Sequence, residues 1–252
     1  MNILDLFSLN NKRALITGGN SGIGFAMAEA LSAAGAHVTV VGRNSDKVAQ
    51  SVAAIEDAGG ACVGISADLI HPDFDLNSFA EQVGAIDIVV NAAGVNLREP
   101  TEAITSKSWD TTLNINLKIP FFLSRAFVPH MQQQKWGRII NIASLQTRRA
   151  FANGLAYGAS KGGVGQLTRA MSEAWSNDGI TANAIAPGFF RTPLTQPLYD
   201  YPDVVAELAG KTTIGRNGEP EDLHGIAVFL ASRASDYVTG QVIYLDGGFT
   251  AK

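Results

Sequence analysis

The sequence predicts an α/β fold: a single doubly wound domain in which a seven-stranded parallel sheet carries helices on both faces. Three observations lead there. Seven short runs of aliphatic and β-branched residues recur along the chain, and helical patterns separate them, many entered through glycine. Each run is also apolar on both of its alternating faces, so neither side is expected to meet water. Parallel strands of that kind need crossover helices, and right-handed crossovers make the sheet doubly wound.

The elements follow in order. Residues 13–17 (RALIT) end in a glycine-rich turn and lead into an alanine-rich helix at 23–34, stopped by Gly35. Residues 37–41 precede a helical stretch at 46–58, and further strands are expected at 61–65, 86–90, 138–142, 180–185 and 241–245. No repeat, low-complexity tract or linker interrupts them, so residues 1–252 read as one domain. The one long irregular stretch is 187–211, punctuated by Pro193, Pro197 and Pro202. It leaves the carboxyl end of a strand, where doubly wound sheets bind their ligands, and reads as a substrate lid.

The 252 residues are 46% hydrophobic and 17% charged, which suits one large core and excludes disordered and coiled-coil classes. A net charge of −4 without a dense Lys/Arg run leaves no footprint for nucleic acid or an anionic membrane, and favours a small soluble ligand. Cys62, the only cysteine, allows no intrachain disulfide and no thiolate metal site, and reads as a buried small hydrophobe. His37, His71, His130 and His224 show no metal-ligand spacing, so no metal is expected. No stretch approaches the ~18 apolar residues of a spanning helix. The opening MNILDLFSLNNKR lacks a basic segment followed by an apolar run, so the chain is expected to be cytoplasmic.

The first turn, Thr17-Gly-Gly-Asn-Ser-Gly-Ile-Gly24, sets Gly18, Gly22 and Gly24 between a strand and a helix start. Glycines there let the backbone turn tightly and approach a pyrophosphate, whose charge the free N–H groups of the helix N-terminus stabilise. The spacing is one residue looser than the usual dinucleotide fingerprint. Its place in the first βα unit nonetheless points to a Rossmann-type, NAD(P)-binding domain. Where a ribose-contacting group is expected, the second strand ends in Val41-Gly42-Arg43-Asn44. No carboxylate stands there to bind both ribose hydroxyls, while the Arg43 fork suits a 2′-phosphate. NADP(H) is therefore favoured, with NAD(H) the alternative. Asn20 and Ser21 add no second positive charge. Asp68, after the third strand, either accepts from an adenine amino group or caps a helix.

Tyr157-Gly-Ala-Ser-Lys161 puts a phenol and an ammonium on one helix face, one turn apart. A phenol titrates near pH ~10, so base strength at neutral pH needs a nearby positive charge, which Lys161 is expected to supply. Ser144 follows the strand at 138–142, and Asn91-Ala92-Ala93-Gly94 forms a small-residue turn at the same sheet edge. Asn116 is a lone amide between the apolar Ile115 and Leu117.

In this order the motifs resemble the short-chain dehydrogenases/reductases, over essentially the whole chain. They are the TGGNSGIG turn, Asn91 to Gly94, Asn116, Ser144 thirteen before Tyr157, Lys161, Pro187-Gly188 with Thr192, and Asp246-Gly-Gly248. The resemblance implies that Ser144 holds the substrate oxygen, Tyr157 is the general acid/base, Lys161 lowers its pKa and binds the nicotinamide ribose, and Asn116 anchors a proton-relay water. It implies cofactor contacts from Gly18, Asn20, Ser21, Gly22, Ile23 and Gly24 in the turn, from Arg43, Asp68 and Leu69, from Asn91, Ala92, Ala93 and Gly94, and from Pro187, Gly188 and Thr192. Ala92 departs from the family pattern, where a second Asn is common, with little expected consequence. Relatives are commonly tetramers, so a homotetramer is expected.

Three stretches, Leu6 to Leu9, Gly94 to Pro100 and Ile142 to Gln146, are similar to the sugar-acid and polyol branch of that family. The implied reaction interconverts a secondary alcohol and a ketone on a small hydroxy or keto compound. Gln146, two past Ser144, is expected to bind a substrate hydroxyl, and Arg98, Arg148 and Arg149 a carboxylate. A reductase of 3-oxoacyl groups on acyl carrier protein is the enzymatic alternative. A catalytically silent dinucleotide-binding sensor or scaffold is the alternative of another class.

Overall fold

A computed structural model describes residues 2–252. Seven parallel strands run β1 Arg13–Thr17, β2 His37–Gly42, β3 Ala61–Ser66, β4 Ile88–Asn91, β5 Gly137–Ile142, β6 Ile180–Pro187 and β7 Val242–Leu245. Their order across the sheet is β3-β2-β1-β4-β5-β6-β7. The order reverses between β1 and β4, and the loops leaving the carboxyl ends on either side of that switch form the ligand crevice of such a sheet.

Alternation along each strand divides the core in two. On one face Ala14, Ile16, Val38 and Val40 pack with Met27 and Leu31 of α1 (Gly22–Ala33), Ile55 of α2 (Ser45–Asp57) and Leu230 of the later helix Asp222–Ala231. On the other, Leu15, Val89 and Ile139 meet Phe79 of α3 (Leu76–Val83). Leu123 and Phe127 of the helix Ile119–Gln134 and Met171 of the helix Leu155–Trp175 complete that layer. Each such side chain, taken from water, contributes about 1.5–3 kcal/mol. Helix α4 (Ser106–Leu113) is joined to α5 (Ile119–Gln134) by a π-helical turn, Asn114–Lys118, which buries Asn116. Helix α6 is Leu155–Trp175.

Polar staples fix the middle of the sheet. The Asn91 amide nitrogen faces Asn141 Oδ1 (2.8 Å), Ser124 Oγ (3.0 Å) and Pro120 O (3.4 Å), tying β4 to β5 and α5. Arg138, only 1% exposed, donates to Ser232 O and pairs with Asp236.

Three expectations change in detail. The fourth strand begins at Ile88 and not at 86, because Asp87 N donates to Arg13 O and its carboxylate accepts from Arg13 N, closing a turn below the ladder. β3 is not shielded on both sides: as the edge strand it is covered by α2 on one face only, and Val63 stays 58% exposed. The segment 187–211 is not irregular either. It contains α7 Gln196–Tyr199 and α8 Pro202–Lys211, with Pro197 and Pro202 in the first turns, where the missing N–H costs nothing. Helix α9 is Asp222–Ala231. Among the described residues no helix is long and apolar enough to cross a membrane.

Candidate active site

The β1–α1 turn is shaped by what glycine permits. Gly18 has φ +66°, and a Cβ there would stand 2.9 Å from Ala93 Cα, so the turn lies flat against the Asn91 to Gly94 segment. Thr17 Oγ1 braces the contact, donating to Val90 O and accepting from Ala93 N at 3.2 Å. A Cβ on Gly24 would collide with the Gly18 carbonyl. Ser21 is the α1 N-cap, yet its hydroxyl makes no capping bond and the first turn holds no acidic residue. The positive end of α1 is therefore left for an anion.

From this turn one cavity of about 1080 Å³ runs along the carboxyl edge. Its lining includes Gly18, Asn20, Ser21, Gly22, Ile23, Gly24, Arg43, Asp68, Leu69, Ala92, Ala93, Gly94, Pro187, Gly188 and Thr192. Asn91 is set one residue back, buried in the sheet staple. At the end next to β2 the cavity is lined by Arg43 and by Lys47, one turn into α2, where Asn44 caps the helix by accepting from Lys47 N at 2.8 Å. Both cations are exposed, and neither is paired with a carboxylate among the described residues. Asp68 accepts from Ile70 N at 3.3 Å, a local turn, while still facing the cavity.

Ser144, Tyr157, Lys161 and Gln146 line the middle of the same cavity. Ser144 sits where β5 gives way to a short 3-10 turn, its Oγ accepting from Gln146 N at 3.1 Å. Burial pushes the Tyr157 phenol above its usual range, while the Ser144 hydroxyl and the charge of Arg98 pull against that. Lys161 is 5% exposed, with Nζ 2.6 Å from Ile142 O and 5.6 Å from the Tyr157 ring centroid. Burial lowers its ammonium to about 8. Lys161, which the sequence reading set beside the phenol, lies near the Tyr157 ring with its ammonium donating to a strand carbonyl, and the charge of Arg98 acts on the phenol as well.

Asn116 is a clamp. Its Oδ1 accepts from Val95 N and its Nδ2 donates to Val95 O, both at 2.9 Å, and to Ser160 Oγ at 3.0 Å. This joins the π turn to the loop after β4 and to α6, fixing Tyr157 and Lys161 in height; a π turn at this place matches the frequent use of such bulges at functional sites.

At the substrate end, Arg98 lines the cavity half-buried at φ +53°. Gln146 rests on Gly154 and Gly158, its Oε1 buried without a partner. Arg148 and Arg149 fall elsewhere. Both lie outside the cavity lining and are exposed, because the turn after Ser144 carries the chain outward. The Arg148 charge acts on Tyr244, and Arg149 donates to Phe249 O. The sequence reading did not anticipate Lys47, Asn96, Phe151, Phe189 or Phe249, all in the lining. Lys47 alone carried a signal, a cation four past Arg43 on a helix start.

A family model described as enoyl-(acyl carrier protein) reductase matches residues 18–250. The chain is 38% identical over 249 residues to gluconate 5-dehydrogenase of Gluconobacter oxydans (strain 621H), covering 98% of this chain and 97% of that one. The chain belongs to the short-chain dehydrogenase/reductase family. Within it, the chain is also 39% identical over 254 residues to 2-dehydro-3-deoxy-D-gluconate 5-dehydrogenase of Escherichia coli (strain K12), covering 99% and 100%. The crystal structure of a gluconate 5-dehydrogenase from Burkholderia cenocepacia J2315 with NADP and tartrate superposes with a TM-score of 0.92 at 39% identity, covering 99% of each chain. A 3-oxoacyl (acyl-carrier-protein) reductase from Agrobacterium tumefaciens C58 with NADP bound superposes equally, TM-score 0.92, at 31% identity, covering 98% and 97%.

The residues of this short-chain dehydrogenase/reductase fit a phosphorylated dinucleotide. The flat glycine turn and uncapped α1 N-terminus suit a pyrophosphate. Arg43 and Lys47 stand free for a further phosphate, and Lys161 and Thr192 lie farther along the same trough.

Proposed function

We propose that the chain is an NADP(H)-dependent oxidoreductase that interconverts a secondary alcohol and a ketone on a small hydroxy or keto acid of the sugar-acid class. The observation that carries this reading is the convergence of Ser144, Tyr157, buried Lys161 and Arg98 on one trough whose other end is the glycine turn. The names of the gluconate and deoxygluconate dehydrogenase relatives support the substrate class.

Bound NADP(H) would give or take the hydride. Tyr157 as a phenol donates its proton to the ketone oxygen in reduction and, deprotonated, withdraws the hydroxyl proton in oxidation. Ser144 Oγ donates to the same oxygen where charge develops. Asn116 ties the loop after β4 to α6, and buried Lys161 keeps a positive charge under the reacting centre at neutral pH. Arg98 pairs with the substrate carboxylate and Gln146 accepts from a hydroxyl. Arg43 and Lys47 favour NADP(H) over NAD(H) by meeting the 2′-phosphate. Leu194, Leu198 and Leu208, from α7, α8 and the chain before them, line the trough, which supports 187–211 as a substrate lid on a single domain. We further infer a cytoplasmic homotetramer. The family resemblance supports the assembly, and a lone buried Cys62 supports the compartment.

The test is a spectrophotometric screen of sugar acids, polyols, cyclic ketones and β-ketoacyl thioesters, each with NADP and NAD. Acids are expected to turn over best, with NADP. Preference for the thioesters would establish instead the acyl-carrier-protein reductase reading, which the family model's description and the Agrobacterium structure support. Nucleotide binding without any turnover would favour the silent sensor.

A further inference from the structure

The trough and the rest of the chain differ in charge. The sequence carries a net −4, yet among the described residues the lining holds five cations, Arg43, Lys47, Arg98, Lys161 and Lys211, against the single carboxylate of Asp68. Such a lining concentrates anions. The sheet order divides the set. Arg43 and Asp68 follow β2 and β3, and Lys47 lies in the first turn of α2, so these three belong to the dinucleotide end. Lys161 is buried at the reacting centre. Arg98 follows β4 and Lys211 ends α8, beyond β6; those two strands flank β5, which leads into Ser144. The substrate end therefore has a cation on each side, and only Arg98 is taken up by the carboxylate proposed to bind there.

Backbone contacts fix where Lys211 stands. Thr213 N and Ile214 N donate to Gly247 O at 2.7 and 3.1 Å, and Thr213 Oγ1 donates to Gly248 O at 3.1 Å. Lys252 Nζ donates to Thr212 O at 2.8 Å and to Gly210 O at 3.3 Å, capping the carbonyl end of α8. The end of α8 is thereby pinned to the turn 246–249, whose Phe249 packs on Phe151 and Phe189 at the substrate end. The Lys211 ammonium donates to Glu207, one turn back in α8. Both side chains are more than half exposed, Lys211 by 51% and Glu207 by 63%, and Glu207 stands outside the lining. An exposed i,i+4 pair of this kind is weak, and a lysine stem is flexible.

We propose that Lys211 is a specificity-determining residue, whose ammonium exchanges Glu207 for an acid group of the substrate on the β6 side of the trough. The proposal rests on the reading of the site as acting on hydroxy or keto acids. A charge pair in the trough, where less water screens it, is stronger than the same pair on the open surface of a helix, so the exchange runs downhill. Glu207 is then a competitor that holds the ammonium until the acid arrives. Because Lys211 belongs to 187–211, the exchange also ties that segment to bound substrate.

The probes are gluconate and its neutral six-carbon counterpart sorbitol, each oxidised by the full chain with saturating NADP⁺. Lys211→Met, which keeps the stem and drops the charge, is expected to raise KM for gluconate ~10-fold while KM for sorbitol and Kd for NADP⁺ stay within ~2-fold. Lys211→Arg keeps the charge and is expected to hold KM for gluconate within ~3-fold of wild type. Glu207→Gln removes the competitor and is expected to lower KM for gluconate ~2-fold, the worth of an exposed i,i+4 pair. Opposite signs separate recognition from helix support, since a pair that merely steadied α8 would make the two variants fail alike. Thermal shift checks folding, and Glu207→Gln carries the test if Lys211→Met does not fold. KM for gluconate unchanged in Lys211→Met, or raised in Glu207→Gln, overturns the proposal and leaves the acid reading standing. A wild type that oxidises gluconate no better than sorbitol overturns both.

Discussion

Tyr157 is pulled in opposite directions. Burial raises its pKa, and Ser144 and Arg98 lower it. With burial the larger influence, the phenol keeps its proton at neutral pH, the form that ketone reduction needs. Reduction is therefore expected to be flat through neutral pH and to fall only on the alkaline side, while oxidation rises there; steady-state rates in both directions across pH measure this. Lys161 titrates near 8 in the folded chain against 10.5 for an unburied lysine, so between those values the unfolded chain holds more protons. Its penalty is full below pH 8 and is relieved as pH rises, until Tyr157 begins to count in the opposite sense near pH 10. Urea unfolding should thus show wild type gaining stability over Lys161→Met from pH 8 to 10. A constant difference would mean that the ammonium is not desolvated. Arg98→Ala is expected to raise KM for carboxylate substrates ~10- to 100-fold, the worth of a charge-assisted hydrogen bond, and to leave KM for neutral polyols unchanged.

At the scale of elements, the βα junctions line the cavity. Gly24→Ala places a methyl against the Gly18 carbonyl and should abolish nucleotide binding with a lowered Tm, read by thermal shift with and without NADPH. The β2–α2 junction is expected to set cofactor choice. Arg43→Ala combined with Lys47→Ala is expected to weaken NADPH ~10- to 100-fold and leave NADH unchanged in fluorescence titration. These junctions were legible because strand, glycine and helix start are adjacent in sequence, so spacing alone reveals them. The lid was not. Pro197 and Pro202 read as breaks, since proline ends a helix as readily as it begins one, and only the surrounding fold decides which. β3 was over-read for a related reason: apolar residues mark a strand, while its place at the sheet edge comes from topology.

At the scale of the whole molecule, seven strands and their crossovers use nearly all of the 252 residues, so specificity is assembled from loop ends far apart in sequence. That is why Ser144, Tyr157 and Lys161 could be found from one short stretch, whereas Phe151, Phe189 and Phe249 could not. Their meeting depends on β6 and β7 lying side by side. Arg98 and Arg148 leave neighbouring strands, yet the turn after Ser144 carries Arg148 outward and only Arg98 lines the cavity. Sedimentation of the purified chain is expected to give the mass of a homotetramer, and a monomer would contradict the assembly. The decisive measurement is kcat for Tyr157→Phe on the best keto acid of the screen with NADPH, beside the Kd for NADPH. Loss of ~10²- to 10⁴-fold in kcat with Kd unchanged is the expected result. Turnover above about a tenth of wild type, against that same expected range for a general acid, would show that another group carries the proton.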